Sequence, residues 1–170
     1  MKGIIIFYRL ITYILLPVAA LLSFFGLFAL IAAISNPALL LGVFMIAGIV
    51  IYTFTGFSFL SKGILEGKKC KPSLRDWIRV NAFVTIAFAF LSLSNAFMYF
   101  NDPNLFKDAM DNAAVVMHQF QGYKNISPEY MLQMMKATLY FMMVYSILLL
   151  IHIFITFRLL KQYAALFSGN

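Results

Sequence analysis

Residues 10–61 read LITYILLPVAALLSFFGLFALIAAISNPALLLGVFMIAGIVIYTFTGFSFLS, a stretch of 52 positions without a charged side chain. An apolar helix needs about 20 residues to cross the hydrocarbon core of a bilayer. The stretch is long enough for two such helices. Ser35-Asn36-Pro37 near its middle is typical of a turn, with a proline suited to the first position of the next helix. The stretch therefore predicts a hairpin of two membrane-spanning helices.

Two further uncharged stretches, residues 80–100 and 137–157, are each as long as one membrane-spanning helix. Lipid offers no hydrogen-bond partner for a backbone amide, so helices are the expected form of such segments. Charged residues make up 11% of the chain, against about 25% in soluble domains. We therefore predict an all-α integral membrane protein, a four-helix bundle forming a single transmembrane domain over residues 1–170, with spans at about 10–34, 37–61, 78–100 and 137–158.

The charges are divided unequally between the two sides of this predicted bundle. The two ends and residues 62–79 carry ten lysines and arginines against two carboxylates, whereas residues 101–136 carry three lysines against four carboxylates. Loops rich in Lys and Arg stay cytoplasmic. We therefore expect cytoplasmic termini and an extracytoplasmic segment 101–136. The compact chain lacks eukaryotic features, so the plasma membrane we expect is the inner membrane of a bacterium.

The net charge of +7 is explained by this topology. No fold that recognises nucleic acid accompanies the basic residues, so nucleic acid is not an expected partner. The lipid bilayer itself is the first expected partner, because basic segments beside membrane spans are attracted to anionic headgroups.

The segment between the third and fourth spans has about 35 residues, more than most connections. Its apolar side chains recur at helical spacing on one face, which predicts an outer amphipathic helix over about 103–121. The start of the fourth helix, rich in methionine, follows it. Methionine is common on adaptable binding surfaces. We therefore predict a partner-binding surface that includes Phe106, Met110, Met117, Phe120, Met131 and Met134.

Inside the predicted spans, no Asp, Glu, Lys or Arg lies away from the ends. His152 is the one ionisable candidate, about 9 Å from the inner boundary at a rise of 1.5 Å per residue. The interpretation we favour is a neutral histidine bonded to a hydroxyl at similar depth or to a backbone carbonyl; a proton relay or a ligand site is the alternative. The hydroxyls at that depth belong to Thr12, Tyr13, Thr55 and Thr85.

Asn95 in the third helix is a further polar candidate. An amide at such a position usually makes a hydrogen bond between membrane helices. The polar candidates inside the spans are therefore His152, Thr85, Thr55 and Asn95.

Motifs that identify enzymes and metal sites are missing from the chain. It contains no H-E-x-x-H, no C-x-x-C, no phosphate-binding Gly-rich loop and no G-x-S-x-G. Eight of the ten methionines lie on the outer side or in the outer half, and thioether sulfurs bind Cu(I). Filling of irregular apolar space is the commoner role of methionine. We expect no catalytic residue, no cofactor and no metal.

These observations favour a non-catalytic scaffold or an accessory subunit of a membrane complex, binding protein partners or further copies of itself. A small oligomeric transporter or channel is the alternative. Four spans leave little room for a solute path in one chain, and the small residues of the second helix offer a contact between copies. A lipid-binding protein or lipid-handling enzyme is a weaker alternative.

Overall fold

The computed structural model of the chain describes residues 2–102 and 128–167. This described part contains helices and turns and no strand. Four of its helical segments are long and apolar enough to cross a membrane, so the all-α prediction with four such helices is confirmed. The elements are α1 (Lys2–Ser35), a 3₁₀ turn (Pro37–Leu39), α2 (Leu40–Ser58), a π-helical segment (Phe59–Leu65), α3 (Pro72–Asn101), α4 (Pro128–Gln162) and a second 3₁₀ turn (Ala164–Phe167).

The turn between α1 and α2 forms where the sequence predicts it. The Asn36 backbone is extended, with φ −136° and ψ 93°, and its Oδ1 accepts a hydrogen bond of 3.2 Å from the Ala38 N–H. Pro37 takes the first helical position, where its missing N–H would have had no partner in any case. The helix before this turn continues through Pro17 without a break, which neighbouring helices permit in apolar segments.

The second helix does not end as a regular α-helix at Ser61. From Phe59 to Leu65 the chain forms a π-helix, and the Glu66 N–H donates to the Ser61 carbonyl over 3.1 Å at its end. Gly63 lies within this segment, where a Cβ atom would approach the Phe59 ring to 3.1 Å and the Cys70 Sγ to 3.2 Å. The residue types of this segment do not predict a π-helix, because its wider turn depends on the side chains that pack against it.

The two remaining long helices begin before the uncharged stretches that predict their spans. α3 begins at Pro72, so Ser73 lies in its first turn. The Lys71 carbonyl accepts a hydrogen bond of 3.0 Å from the Leu74 N–H and closes that turn. α4 begins at Pro128, nine residues before its uncharged stretch, with proline at the first helical position. The predicted amphipathic helix over 103–121 lies outside the described residues.

The chain forms two compact units, Met1–Phe88 with Ile147–Asn170 and, separately, Ala89–Ser146. In the second unit the Phe100 and Tyr140 rings lie 5.6 Å apart, and Phe141 stacks on Tyr145 at 6.0 Å. The core of the first unit consists of large side chains with less than 2% of their surface exposed, among them Tyr8, Ile11, Leu15, Ile49, Tyr52, Phe59, Ile78, Leu149 and His152.

Gly48 of α2 lies against Val84 of α3 in the first unit. A Cβ atom at this position would lie 2.5 Å from Val84 Cγ1 and 2.9 Å from Val84 Cβ, whereas a Cβ at Gly42 would meet nothing within 4 Å. Small residues allow apolar helices to pack with their backbones close together. The hydrogen side chain of Gly48 is therefore a packing requirement, and that of Gly42 is not.

We expect Gly48→Ala to lower the free energy of unfolding by about 1–3 kcal/mol, because the added methyl group must displace Val84. The measurement is SDS-induced unfolding from mild detergent, followed by circular dichroism. Gly42→Ala in the same helix is the matched control, and it should be neutral or raise the free energy of unfolding by up to about 1 kcal/mol. Adding Val84→Ala should make the Gly48→Ala change less damaging than it is alone. Equal losses for the two alanine variants would contradict the close packing.

Candidate functional site

His152 lies at the centre of the buried polar groups of the first unit. Its side chain comes from α4 and is fully buried. Nε2 lies 2.9 Å from the Thr12 Oγ1 of α1, and Nδ1 lies 2.7 Å from the Tyr52 hydroxyl of α2. The imidazole ring also stacks on the Tyr8 ring, with centroids 4.5 Å apart and 14° between the planes. A single side chain of α4 is thus held by side chains from both α1 and α2.

Thr156 extends this arrangement one helical turn along α4. Its Oγ1 lies 2.7 Å from the His152 carbonyl, 3.0 Å from the Tyr52 hydroxyl and 3.3 Å from the Tyr8 hydroxyl. The five residues are all fully buried. We call Tyr8, Thr12, Tyr52, His152 and Thr156 the histidine cluster.

The hydrogen bonds determine which nitrogen of His152 carries a hydrogen. The Thr12 hydroxyl donates its only hydrogen to the Tyr8 carbonyl over 2.7 Å, so toward His152 it acts as an acceptor. Nε2 is therefore the donor nitrogen. Nδ1 is left as the acceptor, and the Tyr52 hydroxyl donates to it. A neutral imidazole satisfies both contacts, and the cluster contains no carboxylate that could balance a positive charge.

Gly56 of α2 faces the imidazole ring. A Cβ atom there would lie 3.5 Å from His152 Cε1 and 3.7 Å from the Tyr8 hydroxyl, at ordinary van der Waals distances, so the ring does not require a glycine at this position. The two hydrogen bonds and the stacked tyrosine hold the imidazole in its orientation.

Of the four hydroxyl residues predicted as partners of His152, only Thr12 bonds to it among the described contacts. Thr12 bonds to it, which confirms a hydroxyl at similar depth as its partner. Thr85 is buried and donates to the Asn81 carbonyl over 2.8 Å. Thr55 is half-buried and donates to the Ile51 carbonyl over 2.6 Å. Tyr13 is 47% exposed and lies under the Arg9 guanidinium, 5.4 Å from it.

The other predicted site residues do not belong to this cluster. Asn95 is exposed on α3 of the second unit. On the predicted partner surface, Met134 is 53% exposed, and Met131 lies in the first turn of α4. The remaining members lie outside the described residues, and these are Phe106, Met110, Met117 and Phe120.

Sequence reasoning missed three members of the cluster, namely Tyr8, Tyr52 and Thr156. A signal for two of them is present in the chain. Tyr8 precedes Thr12 by four residues, and Thr156 follows His152 by four, so each pair shares one helix face. Polar pairs at this spacing in an apolar helix indicate a polar face. Tyr52 has no such partner, and only the packing of α2 against α4 brings it to His152.

No protein-family model matches the chain, and comparison with curated proteins and with solved structures finds no similar protein. The function is therefore inferred from the residues of the chain. Chemically, the histidine cluster is a set of five uncharged groups that donate to and accept from one another. It joins α1, α2 and α4 and has the properties of a structural hydrogen-bond network.

We expect His152→Ala to lower the free energy of unfolding by roughly 3 kcal/mol. The change leaves a cavity and removes the partners of Thr12 and Tyr52. Thermal unfolding in mild detergent, followed by circular dichroism, measures the loss. Phe154→Ala on the same helix is the matched control, since Phe154 is 74% exposed and its removal should change stability by less than about 1 kcal/mol.

Tyr52→Phe provides a second test of the same network, because it removes one hydroxyl and leaves the ring in place. It should lower the free energy of unfolding by about 1–2 kcal/mol, which is more than Phe154→Ala and less than His152→Ala. A His152→Ala protein as stable as Phe154→Ala would show that the cluster does not hold the helices together.

Proposed function

We propose that the protein is a non-catalytic integral membrane protein that serves as a scaffold or an accessory subunit of a membrane complex. Its four long apolar helices cross the bilayer, with both termini and residues 62–79 on the cytoplasmic side and residues 101–136 on the other. The Lys and Arg residues concentrated at one end of these helices support this orientation. A bacterial inner membrane is the proposed location.

The proposal rests mainly on one observation: the buried polar side chains of the first unit make their hydrogen bonds within the protein. A substrate or a transported solute must be able to reach the groups that act on it. The histidine cluster is fully buried, and its members bond to one another. Thr53 and Thr85 donate instead to carbonyls of their own helices, over 2.9 Å and 2.8 Å. These polar groups support helix packing, which favours a structural role over catalysis.

The proposed partner-binding surface combines the outer amphipathic helix, residues 103–121, with the start of α4. Met134 is the member whose exposure supports this choice. It precedes Lys136, so it lies beyond the charged boundary of the last uncharged stretch, yet 53% of its surface is exposed. A flexible apolar side chain outside the hydrocarbon region is typical of an adaptable contact surface. A protein partner would cover it where lipid does not.

Photo-crosslinking in cells tests the partner. A photoreactive amino acid at position 134 should give a discrete protein adduct of defined mass, because that side chain contacts the partner. The same amino acid at position 154 is the control. Phe154 is 74% exposed within an uncharged stretch, so lipid adducts alone are expected from it. An adduct with a different protein supports the accessory subunit, an adduct with a second copy favours the oligomeric alternative, and lipid adducts from both positions would refute the partner surface.

The proposed orientation is tested with a membrane-impermeant maleimide. Cys70 is the single cysteine, and burial raises the pKa of its thiol, so labelling is carried out at mildly alkaline pH. In intact cells Cys70 should stay unlabelled until the membrane is permeabilised. A Cys70→Ser, Lys136→Cys variant should be labelled in intact cells, because its thiol lies on the outer side. The opposite pattern would reverse the topology.

A further inference from the structure

A basic cavity of about 410 Å³ lies where the π-helical segment, the following loop and the start of α3 meet. Four lysines line it, and Ser73 and Trp77 line the side formed by α3. The lysines are Lys62, Lys68, Lys69 and Lys71. A concave site with several cations and a hydroxyl suits an anionic ligand.

Acidic side chains do little to neutralise this cavity. Glu66 pairs with Lys68 over 2.7 Å, and that hydrogen bond holds the pKa of Glu66 below its usual range. Asp76 lies 3.6 Å from the Arg75 Nε. Lys62 and Lys71 make no ion pair with any residue of the described part of the chain, although the charge of Lys62 also helps to lower the pKa of Glu66. The cavity therefore offers at least two ammonium groups to a ligand.

Backbone hydrogen bonds hold the loop that carries Lys68, Lys69 and Lys71. Gly67 has a φ of +66°, in the left-handed region that other residues rarely adopt. The Lys68 N–H donates to the Lys62 carbonyl over 3.0 Å, and the Cys70 N–H donates to the Leu166 carbonyl over 2.8 Å. A loop fixed in this way loses little conformational entropy when a ligand binds.

The position of the cavity along the helices indicates where its ligand lies. The uncharged stretch of the second helix ends at Ser61, and that of α3 begins at Val80. Trp77 lies between these limits and is 56% exposed, as expected for an indole at a membrane interface. The cavity therefore lies at the depth of the lipid headgroups.

We propose that this cavity binds the phosphate group of an anionic phospholipid in the cytoplasmic leaflet. Lys62 and Lys71 contact the phosphate oxygens, the Ser73 hydroxyl donates a further hydrogen bond, and Trp77 packs beside the glycerol region. Basic pockets between membrane helices on the cytoplasmic side are suited to such headgroups. The inference relies on the proposed membrane orientation, and it is independent of any protein partner.

Native mass spectrometry in mild detergent tests this site with an equimolar mixture of phosphatidylglycerol and phosphatidylcholine. The wild-type protein should retain one molecule of phosphatidylglycerol in preference to phosphatidylcholine. The Lys62→Gln, Lys71→Gln variant should bind it about 25-fold more weakly, since each lysine contributes about a factor of five. The matched control is Lys2→Gln, Lys161→Gln, which removes the same charge from exposed positions outside the cavity and should bind as the wild type does.

Trp77 gives a second readout, because it is the only tryptophan and it lines the cavity. Its fluorescence should change saturably with phosphatidylglycerol in the wild type and the control variant, but not in the Lys62→Gln, Lys71→Gln variant. Circular dichroism confirms that each variant is folded. If both double variants bound phosphatidylglycerol equally weakly, overall charge alone would explain the effect, and the proposed site would be wrong. Displacement of the lipid by millimolar inorganic phosphate would overturn the lipid as the ligand. Because binding is measured in detergent, these outcomes are independent of the maleimide test of orientation.

Discussion

In the proposed membrane location, a polar group on a long apolar helix must find its hydrogen-bond partner within the protein, because hydrocarbon supplies none. Most polar groups of the described helices meet this requirement, whereas the buried hydroxyls of Tyr145 and Ser146 in α4 have no partner among the described residues. Backbone amides bond within their own helices, and the hydroxyls of Thr53, Thr55 and Thr85 bond back to carbonyls one turn earlier. The imidazole of His152 has two ring nitrogens, one donor and one acceptor, and each bonds to a side chain of another helix.

The threonines of the histidine cluster each make a hydrogen bond within their own helix and a second contact with another helix. Thr12 donates within α1 and still accepts from His152. Thr156 bonds to its own helix and also reaches the hydroxyls of Tyr8 and Tyr52. Each of these bonds is worth only about 0.6–1.7 kcal/mol between membrane helices. Their directions matter as well as their sum, because they are made only when α4 has this rotation and axial position against α1 and α2.

The polar groups around the π-helical segment of the first unit are of a different kind. The histidine cluster is neutral, buried and internally satisfied, whereas the cavity beside the π-helical segment is lined by lysines at the surface. The wider π turn and Gly67 together bring Lys62 and the loop lysines to one cavity. In the proposed orientation, the first set of groups holds the helices together, and the second provides contact with the anionic headgroups of the bilayer.

Much of the architecture follows from residue pattern alone. The four apolar stretches, the Asn36-Pro37 turn and the start of α4 at Pro128 depend on chain-local properties such as hydropathy, capping and the missing proline N–H, so they can be predicted without knowing the fold. A hydroxyl partner for His152 was likewise predictable from depth along the helices. Four features could not be predicted from the sequence. These are the identity of that partner, the contact of Tyr52 with His152, the π-helical segment and the close approach of Gly48 to Val84. They depend on the rotation of one helix against another, which is decided by the packing of side chains far apart in the chain.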